Sequence, residues 1–182
     1  MALGLLLRAL AVLAVLAVLA GARLVERIVG GTSVSATTYP FAVRLMISDG
    51  PNDYLCGGSL IANDLVVTAA HCIVEPQMSA PLASESVSVC YGDSTVTGQK
   101  CTPALNTTVH PQYNPLILTN DIALIRIAPV ATGASVGVVP VYTGKLPENT
   151  TLTTMGWGKT DTNAQKLPTT LMATQVKVGS VA

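Results

Sequence analysis

No cluster of basic residues occurs anywhere in this sequence of 182 residues. Lys and Arg total 10, Asp and Glu total 10, and from Ile28 onward the count is 7 against 9. That balance gives no electrostatic case for nucleic acid or for an anionic membrane surface as a partner. No Cys-x-x-Cys pair is present either, so the short ligand spacing of a structural zinc site is missing. No segment beyond the N-terminal run sustains an apolar period of 3.6 residues, and no internal repeat appears, which argues against helical bundles and solenoids. No uncharged apolar run reaches the roughly 20 residues of a membrane span. The longest, Ala9 to Ala20 (ALAVLAVLAVLA), has 12.

That run is preceded by Arg8 and followed by Ala20-Gly21-Ala22. A positive start, a short apolar stretch and a small-residue exit have the three-part form of a secretory signal peptide over residues 1–22. The expectation is a secreted, extracellular protein with no stable membrane insertion. Four cysteines, Cys56, Cys72, Cys90 and Cys101, suit an oxidising compartment. They allow three disulfide pairings, of which the sequential one closes two short loops. Asn106-Thr107-Thr108 and Asn149-Thr150-Thr151 are glycosylation sequons in polar stretches that read as surface loops or strand ends.

After the charged stretch Arg23 to Arg27, the chain turns β-like. Phe41 to Ile47, Leu65 to Val67, Val87 to Tyr91, Ile122 to Ile127, Val136 to Tyr142 and Leu171 to Val178 are short and rich in β-branched residues. Gly57-Gly58 and a series of prolines read as punctuation between them. The pattern is all-β, of sandwich or barrel type.

His71 stands in Thr68-Ala69-Ala70-His71-Cys72. Histidine works as a general base near neutral pH when an acceptor holds its other ring nitrogen. Asp121 opens a nearly apolar strand, and a carboxylate there either faces solvent or finds a partner. By themselves, a histidine beside a cysteine and an aspartate at a strand start fit structural roles as well.

Five motifs then occur in one order. They are Ile28-Val29-Gly30-Gly31, Cys56-Gly57-Gly58-Ser59-Leu60, Thr68-Ala69-Ala70-His71-Cys72, Asp121-Ile122-Ala123-Leu124 and Gly156-Trp157-Gly158. In this the chain resembles the trypsin-like serine proteases from Ile28 to about Lys177. The resemblance implies a double β-barrel peptidase domain over 28–182, with the first barrel complete and the second truncated. It implies His71 as general base, Asp121 as its orienting acid, and a Cys56–Cys72 bridge beside the histidine. Arg27–Ile28 becomes an activation site, which makes residues 23–27 a short propeptide and calls for an activating protease. Substrates would be proteins or peptides, with no cofactor and no metal. Cys90 and Cys101 fall outside the family's commonest mammalian pattern and read as a bridge within a hairpin.

The resemblance leaves one position unfilled. The family supplies its nucleophile from Gly-Asp-Ser-Gly-Gly, and this sequence contains no such segment. Gly92-Asp93-Ser94 is followed by Thr95 and Val96 where glycines are needed, and Ser180 has no glycine pattern around it. A two-barrel domain runs to roughly 200–250 residues. The expectation is an inactive chain that ends before the serine. A non-catalytic homologue that binds or inhibits is the alternative. The amine-led segment at Ile28 is expected to be loose.

Overall fold

In a computed structural model, residues 28, 30–48, 52–74, 81–160 and 166–179 are described. The expected signal peptide, the expected propeptide with Arg27, and Ser180 lie outside them. Nine strands follow in chain order: β1 (Thr32–Ser33), β2 (Ala42–Ser48), β3 (Asp53–Ala62), β4 (Leu65–Thr68), β5 (Val87–Tyr91), β6 (Lys100–Val109), β7 (Ala123–Ile127), β8 (Thr151–Gly156) and β9 (Met172–Lys177). Six of them close an antiparallel barrel in the order β2-β3-β4-β7-β6-β5. The other three form a sheet ordered β1-β9-β8. The architecture is all-β.

Period-two alternation builds the barrel. Val43, Leu45 and Ile47 of β2 point inward with Val87 and Val89 of β5, and Ala123, Ile125 and Ile127 of β7 join them in one buried cluster. On β7 the intervening Leu124 and Arg126 are exposed. Arg126 meets Asp64 at 2.6 Å on the outer surface. Closure leaves the barrel without a free edge, so its backbone groups pair all the way round.

Gly57 and Gly58 do not punctuate strands. They lie inside β3, opposite Arg44 and Val43 of β2. A β-carbon on Gly58 would come 2.8 Å from Val66 Cγ1 and 3.0 Å from the Val67 carbonyl. Gly58 is thus a close-approach glycine and not a turn glycine. Val136 to Tyr142 is likewise not a strand. It runs as extended connection, with the Val139 N–H donated to the Leu60 carbonyl. Val141 and Tyr142 are exposed. Asn106 is in neither a loop nor a strand end. It lies within β6, exposed at a register shift against β7. Asn149 is exposed in a turn with φ 62°.

Two disulfides are present, Cys56–Cys72 with Cα atoms 6.2 Å apart and Cys90–Cys101 at 4.0 Å. The second joins directly opposed residues of the β5–β6 hairpin. The barrel meets the sheet at the Gly92-Asp93-Ser94 turn. The Ser94 carbonyl accepts from the Trp157 indole at 2.8 Å and from the Leu171 N–H at 2.8 Å. Asp93 Oδ1 accepts from the Thr95 N–H and hydroxyl, and these bonds hold the Asp93 carboxyl below its ordinary pKa. Ile28 is not loose. It is 5% exposed, and its N–H is donated to the Lys159 carbonyl at 2.7 Å.

Core truncation and core crowding should both be felt here. Leu45→Ala is expected to cost about 2–5 kcal/mol, because Leu45 is wholly buried among β-branched neighbours. Gly58→Ala is expected to cost about 1–3 kcal/mol, because Val66 and the β4 backbone leave no room. Urea unfolding midpoints measure both, and a Gly58→Ala protein as stable as its parent would contradict the packing described.

Candidate active site

Two neighbouring strands bring His71 and Asp121 together. β4 and β7 pair antiparallel, with Thr68 opposite Ala123. His71 lies three residues beyond Thr68, and Asp121 lies two residues before Ala123, so both fall at the same end of the barrel. A single 3-10 turn, Ala70–Cys72, carries the histidine off the strand. Its start is fixed by Ala70, wholly buried, and its end by the Cys72 bridge to Cys56 on β3. Thr68 donates its hydroxyl to the Gly57 carbonyl at 2.7 Å, which ties the strand before the turn to β3.

On the other side, Asn120 adopts φ 55°, a left-handed conformation that asparagine tolerates better than most residues. The Ile122 N–H reaches back to the Asn120 carbonyl at 2.8 Å. This tight reversal aims the Asp121 side chain at the histidine turn. One carboxylate oxygen accepts the His71 backbone N–H at 2.8 Å, and the other meets ring Nδ1 at 2.7 Å. Both side chains are about a quarter exposed.

The electrostatics follow from those contacts. Burial works to raise the Asp121 pKa. The hydrogen bonds from the His71 ring and backbone, the charge of His71 and the Ala70 N–H outweigh it, and the carboxyl lies below its ordinary value. An ionised carboxylate only accepts, so Nδ1 must carry the proton. In the neutral ring Nε2 is then left with its lone pair. Tyr113 is pushed up, first by its own burial and then by the negative charge of Asp121.

Nε2 lies 3.6 Å from Cys72 Sγ. That sulfur is oxidised and has no proton to give, so the lone pair stays unengaged there. Cys56, His71 and Cys72 converge closely enough to suggest three metal ligands. Two of the three donors are bonded to each other, and a disulfide offers no thiolate. Among the described residues no serine hydroxyl hydrogen-bonds Nε2. Ser94 has its carbonyl committed to Trp157 and Leu171, at the junction of barrel and sheet. Sequence reasoning missed Asn120, although an Asn-Asp pair before an apolar strand is a turn signal.

A barrel with a histidine and an aspartate linked in this way defines the class of chymotrypsin-fold peptidases. The protein-family model described as Trypsin matches residues 28–182. Chymotrypsin-like elastase family member 1 of Bos taurus is 36% identical over 145 residues, covering 76% of this chain and 53% of that protein. Brachyurin of Leptuca pugilator is 31% identical over 160 residues, covering 85% and 66%. In shape, the crystal structure of scabies mite inactivated protease paralogue S-D1 superposes with a TM-score of 0.73 at 24% identity, over 84% of this chain and 64% of that one. The chain belongs to the trypsin family of serine proteases. It spans between about half and two thirds of the length of these relatives.

The Asp121 contact fixes a pH dependence. A folded pKa held below the unfolded value near 3.9 contributes stability above that value, and the contribution is lost as pH falls through the folded pKa. Asp121→Asn is therefore expected to be less stable than the parent at pH 7. The gap should narrow once the pH drops below about 4. Denaturant unfolding at a series of pH values measures it. A gap that stays constant into strong acid would show that Asp121 is not held as an anion by His71.

Proposed function

We propose that this chain carries the general base and orienting acid of a secreted trypsin-like serine endopeptidase. The single observation that carries the reading is the two-point grip of Asp121 on His71. It fixes the tautomer, orients the ring and leaves Nε2 free to take a proton from an attacking hydroxyl. Asp121 would steady the imidazolium formed in that step. Proteins or peptides are the substrate class. The chemistry draws on no cofactor.

Activation by a protease at Arg27–Ile28 completes the reading. Cleavage would turn the Ile28 amide into an ammonium, and the Lys159 carbonyl that already accepts from this nitrogen would accept more strongly from a charged donor. Glycans at Asn106 and Asn149 belong to the same proposal, since both side chains are exposed.

The nucleophile is the missing partner. No hydroxyl engages Nε2 among the described residues, and the sequence holds no Gly-Asp-Ser-Gly-Gly. The alternative reading is a non-catalytic homologue that binds or inhibits other proteins. The product of the gene decides between them. A secreted protein that continues into Gly-Asp-Ser-Gly-Gly supports the enzyme, and a stable secreted product without it supports the binder.

The 182-residue chain itself, cleaved after Arg27, is expected to hydrolyse neither peptide nor ester above background. It is also expected to resist a fluorophosphonate probe. Stoichiometric labelling of Ser94 or Ser180, located by peptide mapping, would overturn that expectation.

A further inference from the structure

Cys90 and Cys101 stand directly opposite each other on β5 and β6, with Cα atoms 4.0 Å apart. Both strands belong to the closed barrel, and the histidine site makes no use of the bridge. We infer that it is a thiol-exchange site: an external thiolate attacks Cys101 Sγ, and opening the bridge loosens the Gly92–Gln99 loop that ties barrel to sheet.

Access is one-sided. Cys101 is exposed, whereas Cys90 is wholly buried. An incoming thiolate therefore reaches Cys101 Sγ, and Cys90 is the leaving group. The Cys56–Cys72 bridge is better sheltered, with Cys72 only 5% exposed and Cys56 half-buried.

The leaving sulfur has a cation beside it. Arg44 of β2 is the cross-strand partner of Cys90 and shares its face of the sheet. Arg44 is buried, donates its Nε–H to Gln99 Oε1 at 2.8 Å, and has no acidic partner among the described residues. Burial alone disfavours a thiolate at Cys90. An unpaired guanidinium in a dry place offsets that cost, because its field is poorly screened there. A thiol stabilised as its anion leaves faster in exchange.

In the first step the bond between the two cysteine sulfurs breaks as the thiolate bonds to Cys101 Sγ. The electron pair goes to Cys90, which takes a proton from water. A second thiolate then attacks the outer sulfur of the mixed disulfide and releases Cys101. Two external thiols are oxidised to one disulfide, and the bridge gains two electrons.

The loop between the cysteines carries the barrel's hold on the sheet. The Ser94 carbonyl accepts from the Trp157 indole and the Leu171 N–H, and the Val96 N–H is donated to the Thr169 carbonyl at 2.9 Å. The bridge closes the base of this loop, with only the Tyr91–Lys100 pair beyond it. The other pairs of β5, with β6 and with β2, keep the strands in place after reduction. The two thiols then stay opposed, and the bridge can re-form.

The test treats the oxidised chain with a graded series of reduced glutathione, quenches with N-ethylmaleimide and maps all four cysteines. Cys90–Cys101 is expected to open at a glutathione concentration about tenfold below that needed for Cys56–Cys72. The trapped intermediate should carry glutathione on Cys101 and maleimide on Cys90. Once the bridge is open, hydrogen exchange at the Val96 and Leu171 amides should quicken about tenfold, while the Ile125 amide in the barrel core keeps its rate. Arg44→Met should slow the opening. Should that variant fail to fold, the position of the glutathione and the exchange rates of the parent carry the test. Earlier opening of Cys56–Cys72, glutathione on Cys90, a folded Arg44→Met protein that opens as fast as the parent, or unchanged exchange at Val96 and Leu171 would overturn the inference.

Discussion

The antiparallel pairing of β4 with β7 is the constraint on which the rest depends. It joins the β2-β3-β4 half of the barrel to the β7-β6-β5 half, and it sets where the two strands end. A slip of β7 by one residue would turn Ile125 outward and its exposed neighbours Leu124 and Arg126 inward. It would also separate the histidine turn from the aspartate. Core and site are thus fixed by the same four residue pairs. The buried side chains that make the register unambiguous are what hold two polar groups at hydrogen-bonding distance.

The aspartate's two contacts differ in kind. The bond to the His71 backbone N–H fixes where the turn begins, whatever the ring does. The bond to Nδ1 fixes the ring. A side chain with one contact could pivot and still satisfy it. With both made, the imidazole is oriented before anything binds, and orientation set in advance is what a positioned base needs. The Cys56–Cys72 bridge restrains the turn from its other end. The same bridge removes two thiols that would otherwise make the spot a soft-metal site.

Much of the barrel was legible because alternation is a local property. Val87 to Tyr91 and Leu65 to Val67 read as strands from their own residues, and the structure places strands there. β3, β6 and β8 were not legible for a shared reason. β3 is interrupted by Gly57 and Gly58, and Gly58 answers to the approach of Val66 rather than to a turn. β6 and β8 are threonine-rich, and the exposed Leu105 and Leu152 blur their apolar-in, polar-out alternation. Val136 to Tyr142 misled in the opposite sense. Its β-branched residues lie along the connection between barrel and sheet, with Val141 and Tyr142 exposed. The site was legible as motifs in order, while its geometry was not. The buried position of Ile28 depends on its contact with distant Lys159, which no local pattern encodes.

The indole bond to Ser94 has an optical consequence. Trp157 is the sequence's single tryptophan, 6% exposed and fixed at the seam between barrel and sheet. Its fluorescence therefore reports one place only. While the seam is dry and the indole N–H is held by a carbonyl, emission stays blue. When the sheet lifts from the barrel, water reaches the ring and emission moves to the red, even with every barrel strand in place. The chain carries its own reporter for the parting of its two halves, separate from the melting of either.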